Sequence, residues 1–174
     1  GPREVSLSFP DGTTRKQWCE ERLWALYRGT TVAPGVLQCA LMALEAWLLQ
    51  IGEQNSECLE EWLIYLARES NNVAVTAVVA SVATAFPNAA GKAGLVALSC
   101  RNLILLDKHR LVSGSHPSSW LSEFVPMPGA DSQLYAAERR QSDQRAHRKF
   151  DLESLSVALA TGPLQDRVYA LIDA

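Results

Sequence analysis

Apolar residues arrive along this chain in bursts, and the period within each burst predicts the element it builds. Val5, Leu7 and Phe9 alternate before Pro10-Asp11-Gly12, which reads as an extended arm or one short strand ending in a turn, with no obvious partner strand. From Thr13 the period changes: Cys19, Leu23, Leu26 and Tyr27 fall on one helical face until Gly29 ends the pattern. A second helix begins near Pro34, with Leu37, Ala40, Leu41, Leu44, Leu48 and Ile51 at helical spacing. Val36, Cys39, Ala43 and Trp47 widen its apolar surface and leave Gln38 and Glu45 in a polar stripe, so this helix is expected to pack on more than one neighbour.

Asn55 or Ser56 can cap a third helix, whose Glu57, Glu60 and Glu61 near the start and Arg68 near the end suit the helix dipole. Its expected buried face is Leu59, Trp62, Leu63 and Leu66. Ser70-Asn71-Asn72 then offers a stop and a new cap before the unbroken run from Val73 to Phe86. Its β-branched residues favour a strand, but the run is long for one, and Val75, Val78, Val79, Val82 and Phe86 keep helical spacing; it is read as a buried helix.

Gly91 and Gly94 lead into Leu95, Val96 and Leu98, a short helix packed closely on a neighbour, and Ser99 is placed to cap a further helix using Leu103, Leu105 and Leu106. Residues 113–132, rich in Ser, Pro and Gly, read as a long loop. Residues 133–149 carry many charges and few large apolar groups, and are expected to form a surface helix. Two short apolar helices follow near 151–160 and 163–173, separated by Thr161-Gly162-Pro163.

The fold expected is all-α, with stacked antiparallel helix pairs forming either a HEAT-like solenoid or an irregular bundle, plus the N-terminal arm. Residues 3–112 make a repeat-like helical region, 113–132 the loop, and 133–174 C-terminal helices packing on the same domain. The repeat rests on an offset of 39 residues, which lays Cys19 on Cys58, Glu21 on Glu60, Tyr27 on Leu66, Val36 on Val75, Ala40 on Val79, Ala43 on Val82 and Trp47 on Phe86.

Composition narrows the function more than it defines it. The 48% apolar content supports a packed interior, and no burst reaches the 18 or so uninterrupted apolar residues expected of a membrane span, so no membrane partner is expected. The chain begins Gly1-Pro2 without Met or a secretory signal; that pair reads as the scar of a removed tag, and the chain as a piece of a larger protein. Cys19, Cys39, Cys58 and Cys100 sit in apolar patterns without C-x-x-C spacing, far in sequence from His109, His116 and His147, which argues for core packing over zinc or disulfides and for a cytoplasmic setting. Residues 1–72 carry 6 Lys/Arg against 10 Asp/Glu and residues 73–174 carry 10 against 9, so neither half is basic enough to demand nucleic acid.

No catalytic, cofactor or metal residues are assigned. Gly91-Lys92 lacks the rest of a phosphate-binding loop, since Phe86 stands where its first Gly belongs and Ala93 where Ser or Thr would follow. Glu57, Glu60 and Glu61 are explained by a helix start. Asp107, His109 and Arg110, with Lys108 between them, form a dense ionisable string, a weak site candidate that also reads as a charged helix end. The stronger candidate surface is Arg139, Arg140, Arg145, His147, Arg148 and Lys149, flanked by Tyr135 and Phe150, where five cations within eleven residues could meet phosphates or an acidic protein face; Glu138 and Asp143 interrupt them.

At Ser70-Asn71-Asn72-Val73-Ala74-Val75-Thr76-Ala77-Val78, Asp107-Lys108-His109-Arg110 and Glu138-Arg139-Arg140-Gln141-Ser142-Asp143, the chain resembles helical segments of very large bacterial STAND-type ATP-binding proteins, some linked to phage defence. The likeness covers residues 35–174. It implies a helical array that senses a ligand or holds an assembly shut beside a P-loop core, and no nucleotide motif carries ATPase activity onto this chain. The expected function is a non-catalytic scaffold or sensor module that binds other domains of its polypeptide or a protein partner. Two alternatives stay open: a nucleic-acid-contacting module using residues 139–149, and an enzyme fragment completed by other sequence, with His109 near its site.

Overall fold

The computed structural model describes residues 1–29, 31, 33–114 and 131–173. It is mostly helical, with a short antiparallel hairpin at the N-terminus. Strand β1 (Arg3–Ser8) pairs with β2 (Thr14–Cys19) from Arg3 opposite Cys19 to Ser8 opposite Thr14. The expected arm therefore has a partner, and the helix expected from Thr13 is a strand from Thr14 to Cys19. The turn explains this. Gly12 takes a left-handed φ of 82°, and Asp11 Oδ1 accepts from both the Thr13 amide at 3.0 Å and the Thr13 hydroxyl at 2.6 Å, turning the chain back along β1. Period two was concealed in β2 because one of its inward positions is polar: Gln17 is buried beside Cys19.

Gln17 earns its burial by hydrogen bonding. Its Nε2 donates to the Ala67 carbonyl at 2.7 Å and the Ser70 carbonyl at 3.2 Å, while its Oε1 accepts from Thr76 Oγ1 at 2.7 Å. The hairpin is thus riveted to the helices behind it.

Helix α1 (Glu21–Ala25) runs into a 3-10 turn, Leu26–Arg28, closed by Gly29 at a left-handed φ of 69°. Then come α2 (Gly35–Gln54), α3 (Leu59–Glu69), α4 (Val73–Ala85), α5 (Gly91–Leu98) and α6 (Arg101–Gly114). After residue 130 follow α7 (Asp131–Asp143), a 3-10 turn at Ala146–Lys149, α8 (Leu152–Ala160) and α9 (Gln165–Ile172). The long loop expected over 113–132 lies largely outside the described residues, and its two ends belong to α6 and α7.

The valine-rich run is helical, as its period predicts. Asn72 caps α4 by accepting from the Ala74 amide at 3.0 Å, and α4 is buried on nearly every side because α1, α2, α3, α5 and α8 all pack on it. A helix so surrounded is the axis of an irregular bundle. In a solenoid each unit touches only its neighbours. The positions matched by the 39-residue offset also differ in environment: exposed Ala40 corresponds to Val79 and exposed Ala43 to Val82, both without exposure.

Close packing explains the glycines of α5. A Cβ at Gly91 would lie 2.6 Å from Leu164 Cδ1, and one at Gly94 3.0 Å from Leu155 Cδ2. Ser99 ends α5 and ties it to the hairpin, accepting from the Ser8 amide at 3.0 Å.

Candidate functional site

Helix α2 is apolar on both faces: Leu41, Leu44, Leu48, Leu49 and Ile51 pack into the core, and a second apolar strip is left outside. Its stripe of Gln38, Glu45, Leu48 and Leu49 faces the bundle, and Val36, Leu37, Ala40, Ala43 and Trp47 face outward. By length and composition α2, with mean hydropathy 1.4, is the one helix among the described residues that could cross a membrane. Its inward polar groups bind it to this bundle instead. Gln38 donates to the carbonyls of Thr31 at 3.0 Å and Ala33 at 2.9 Å, fixing the chain that enters the helix.

Glu45 is the centre of a buried polar cluster. It is 1% exposed, and its carboxylate accepts from Ser81 of α4 at 2.6 Å, lies 3.3 Å from His147 Nε2, and takes both Nε and Nη2 of Arg148, which is itself 2% exposed. Arg148 continues through Nη1 to Asp143 at 3.0 Å, and its guanidinium lies 5.4 Å from the Tyr27 ring centre. Burial alone would push the Glu45 carboxyl up; hydrogen bonds from His147, Arg148 and Ser81 outweigh it and hold the pKa at about 2. Burial likewise opposes the charge on Arg148, and Glu45 restores it, so its pKa lies above the ordinary arginine value.

The six candidate residues of 139–149 do not share a face. α7 stops at Asp143, so the surface helix expected to run through residue 149 is broken by a turn, and the second turn of chain delivers His147 and Arg148 inward. The break follows from Glu45: a buried carboxylate needs a cation, and Arg148 reaches it only if the helix ends. Arg140 and Lys149 are exposed, while Arg139 and Arg145 are half-buried. Arg139 Nε lies 3.0 Å from where a Cβ on Gly29 would stand.

The Asp107 string divides similarly. Buried Asp107 accepts from the Trp24 indole at 2.9 Å, from Arg110 Nε at 2.6 Å and from the Leu152 amide at 2.8 Å. It joins α1, α6 and the start of α8, and Arg110 adds a bond to the Phe150 carbonyl at 3.0 Å. His109 points elsewhere, with Nδ1 3.0 Å from Glu21 Oε1 at the surface. Tyr27 and the Phe150 backbone bring the two strings side by side, yet every bond found there is one that joins structural elements. Ser81 and His147 both address Glu45: the Ser81 hydroxyl donates to Oε1 at 2.6 Å, and His147 Nε2 lies 3.3 Å from the same oxygen.

Beside His147 a cleft of about 410 Å³ opens between α2, the end of α4 and the 145–147 turn, floored by Leu49, Ala85 and Phe86. Among the described residues no group of three His, Cys, Asp or Glu is placed to hold a metal ion. The start of α5 is occupied as well: Glu60 accepts from the Lys92 amide at 2.8 Å and pairs with Lys92 Nζ at 3.1 Å.

The outer face of α2 continues onto α3. Trp47 meets Trp62 edge-to-face at 6.0 Å, and Trp62 meets Tyr65 the same way at 6.2 Å, with exposures of 45%, 44% and 56%. Trp62 was expected in the core; α3 instead buries Leu59, Leu63 and Ala67, one narrow stripe, and leaves Trp62 at its edge. No family model matches the chain, and no curated protein matches it in sequence.

Proposed function

We propose that this chain is a non-catalytic helical module of a larger protein, a scaffold or sensor surface that docks through the outward face of α2 and the adjoining aromatics of α3. The observation that carries the reading is the apolar face that α2 leaves exposed. Glu45 is folded inward and neutralised, and the outer face from Val36 to Trp47 carries no charged residue over three turns. At roughly 200 Å² per aromatic side chain, half-exposed Trp47, Trp62 and Tyr65 present about 300 Å² of contiguous ring surface before the aliphatic residues are added, a size typical of interaction patches. The likeness to helical segments of STAND-type proteins supports the same role, a helical element that holds or senses another part of an assembly.

Nucleic-acid contact has less support, because Arg148 is committed to Glu45 and the remaining cations are divided between α7 and the turn after it. The test is acrylamide quenching of a single-tryptophan variant that keeps Trp47, compared between the isolated chain and the full-length protein. Trp47 is expected to be quenched readily in the isolated chain and shielded in the full-length protein or its assembly. Equal quenching in both would sink the reading.

A further inference from the structure

The charges around the aromatic face say what should cover it. Between Arg28 and Arg68 the chain holds no Lys or Arg at all, and it holds five glutamates. Two of these are already spoken for: Glu45 is buried on Arg148, and Glu60 pairs with Lys92. The other three, Glu53, Glu57 and Glu61, are exposed, and Glu69 joins them at the end of α3. Glu61, Tyr65 and Glu69 follow at intervals of four on α3, so Tyr65 stands between two carboxylates on one helical row. The nearest cation in sequence, Arg68, is turned away to Asp11 at 2.8 Å and lies over the Phe9 ring at 4.9 Å.

We infer that the α2–α3 face receives a cationic amphipathic helix, one whose aliphatic side chains lie along Val36, Ala40, Ala43 and Trp47 and whose flanking Lys or Arg meet Glu57, Glu61 and Glu69. This rests on the docking role proposed above. Ala40 and Ala43 leave a shallow path along α2, and Trp47 and Trp62 form its wall, the pattern of a helix laid in an apolar groove. A second copy of this chain fits poorly, because pairing the face on itself sets an acidic rim against an acidic rim. The aromatic part of the patch, about 300 Å², is well under the roughly 800 Å² per partner of a standard globular interface and is on the scale of one helix. An anionic bilayer meets the same repulsion from Glu57, Glu61 and Glu69; Arg145 borders α2 at the cleft beside Glu53, not among the α3 aromatics.

The probe is a helical peptide of about 20 residues, the length of α2, with Leu and Ala on one face and Lys on both flanks; its partner probe carries Glu in place of Lys. Titration calorimetry is expected to show the Lys peptide binding at least about tenfold more tightly than the Glu peptide, with the difference shrinking as salt rises. Glu61→Lys with Glu69→Lys, both at exposed positions, should erase or reverse that preference. Trp47→Lys should remove binding of either peptide while the circular dichroism melt stays near the parent's. Equal affinity for both peptides overturns the inference, as does tighter binding to phosphatidylserine vesicles than to the Lys peptide. Dimerisation of the chain that Trp47→Lys abolishes overturns it in favour of a second copy. If neither peptide binds but Trp47 is shielded in the full-length protein, the cationic-helix partner is wrong and the docking role stands.

Discussion

Replacing Arg148 with Met leaves the Glu45 carboxylate inside the bundle without its cation. Glu45 is 1% exposed and would keep only Ser81 and His147, whereas Asp143 retains Arg28 at 3.5 Å and is already partly in water. Removing one partner of a buried pair costs about 3–5 kcal/mol. Holding Glu45 at about 2 against an ordinary 4.5 corresponds to about 3 kcal/mol, shared among His147, Arg148 and Ser81. Because the folded value is the lower one, this contribution is complete above pH 4.5 and disappears as pH falls toward 2. Urea unfolding at pH 7 should therefore show Arg148→Met less stable by about 3 kcal/mol or more. The gap to the parent should narrow between pH 4.5 and 2. Adding Glu45→Leu to Arg148→Met removes the stranded charge and should recover at least about half of the loss. A penalty below about 1 kcal/mol, or one independent of pH, would refute the placement of this pair in the core.

Other substitutions probe the joints of the fold. Gln17→Ala should cost about 2–3 kcal/mol in chemical denaturation, because it strands Thr76 Oγ1 and the carbonyls of Ala67 and Ser70 together. Gly52→Ala should destabilise by about 1–3 kcal/mol, since the new methyl would overlap the Phe86 ring. Asn72→Ala removes the cap of α4 and should lower stability by about 1 kcal/mol, read as a shift in the denaturant midpoint.

What the sequence disclosed, and what it concealed, follows from where each segment's neighbours come from. The Val73–Ala85 helix was legible because it is buried nearly all round, so its composition and length speak without a partner. The breaks at Gly29 and at Thr161-Gly162-Pro163 were legible because they are local. β2 was missed because its inward Gln17 is satisfied by residues 50 to 59 positions away. The same reason hid the site. Period alone shows that α2 has a wide apolar surface and a polar stripe; it does not show that Gln38 and Glu45 go inward together with Leu41, Leu44 and Leu48, and Glu45 does so because Arg148, more than a hundred residues on, supplies the countercharge. The candidate cations of 139–149 were chosen by density, a signal that cannot separate a solvated charge from one drawn into the core. A clue was present in the chain: Glu45 stands alone as an acid amid the apolar run from Val36 to Leu49, and such a residue is buried only with a partner.

The orientation of α2 is tested most directly by placing Lys at both Ala40 and Ala43 and measuring the unfolding free energy of the isolated chain. With these positions facing outward, the double variant should stay within about 1 kcal/mol of the parent. A loss of several kcal/mol would show that this face is packed inside the bundle, and that the docking surface does not exist.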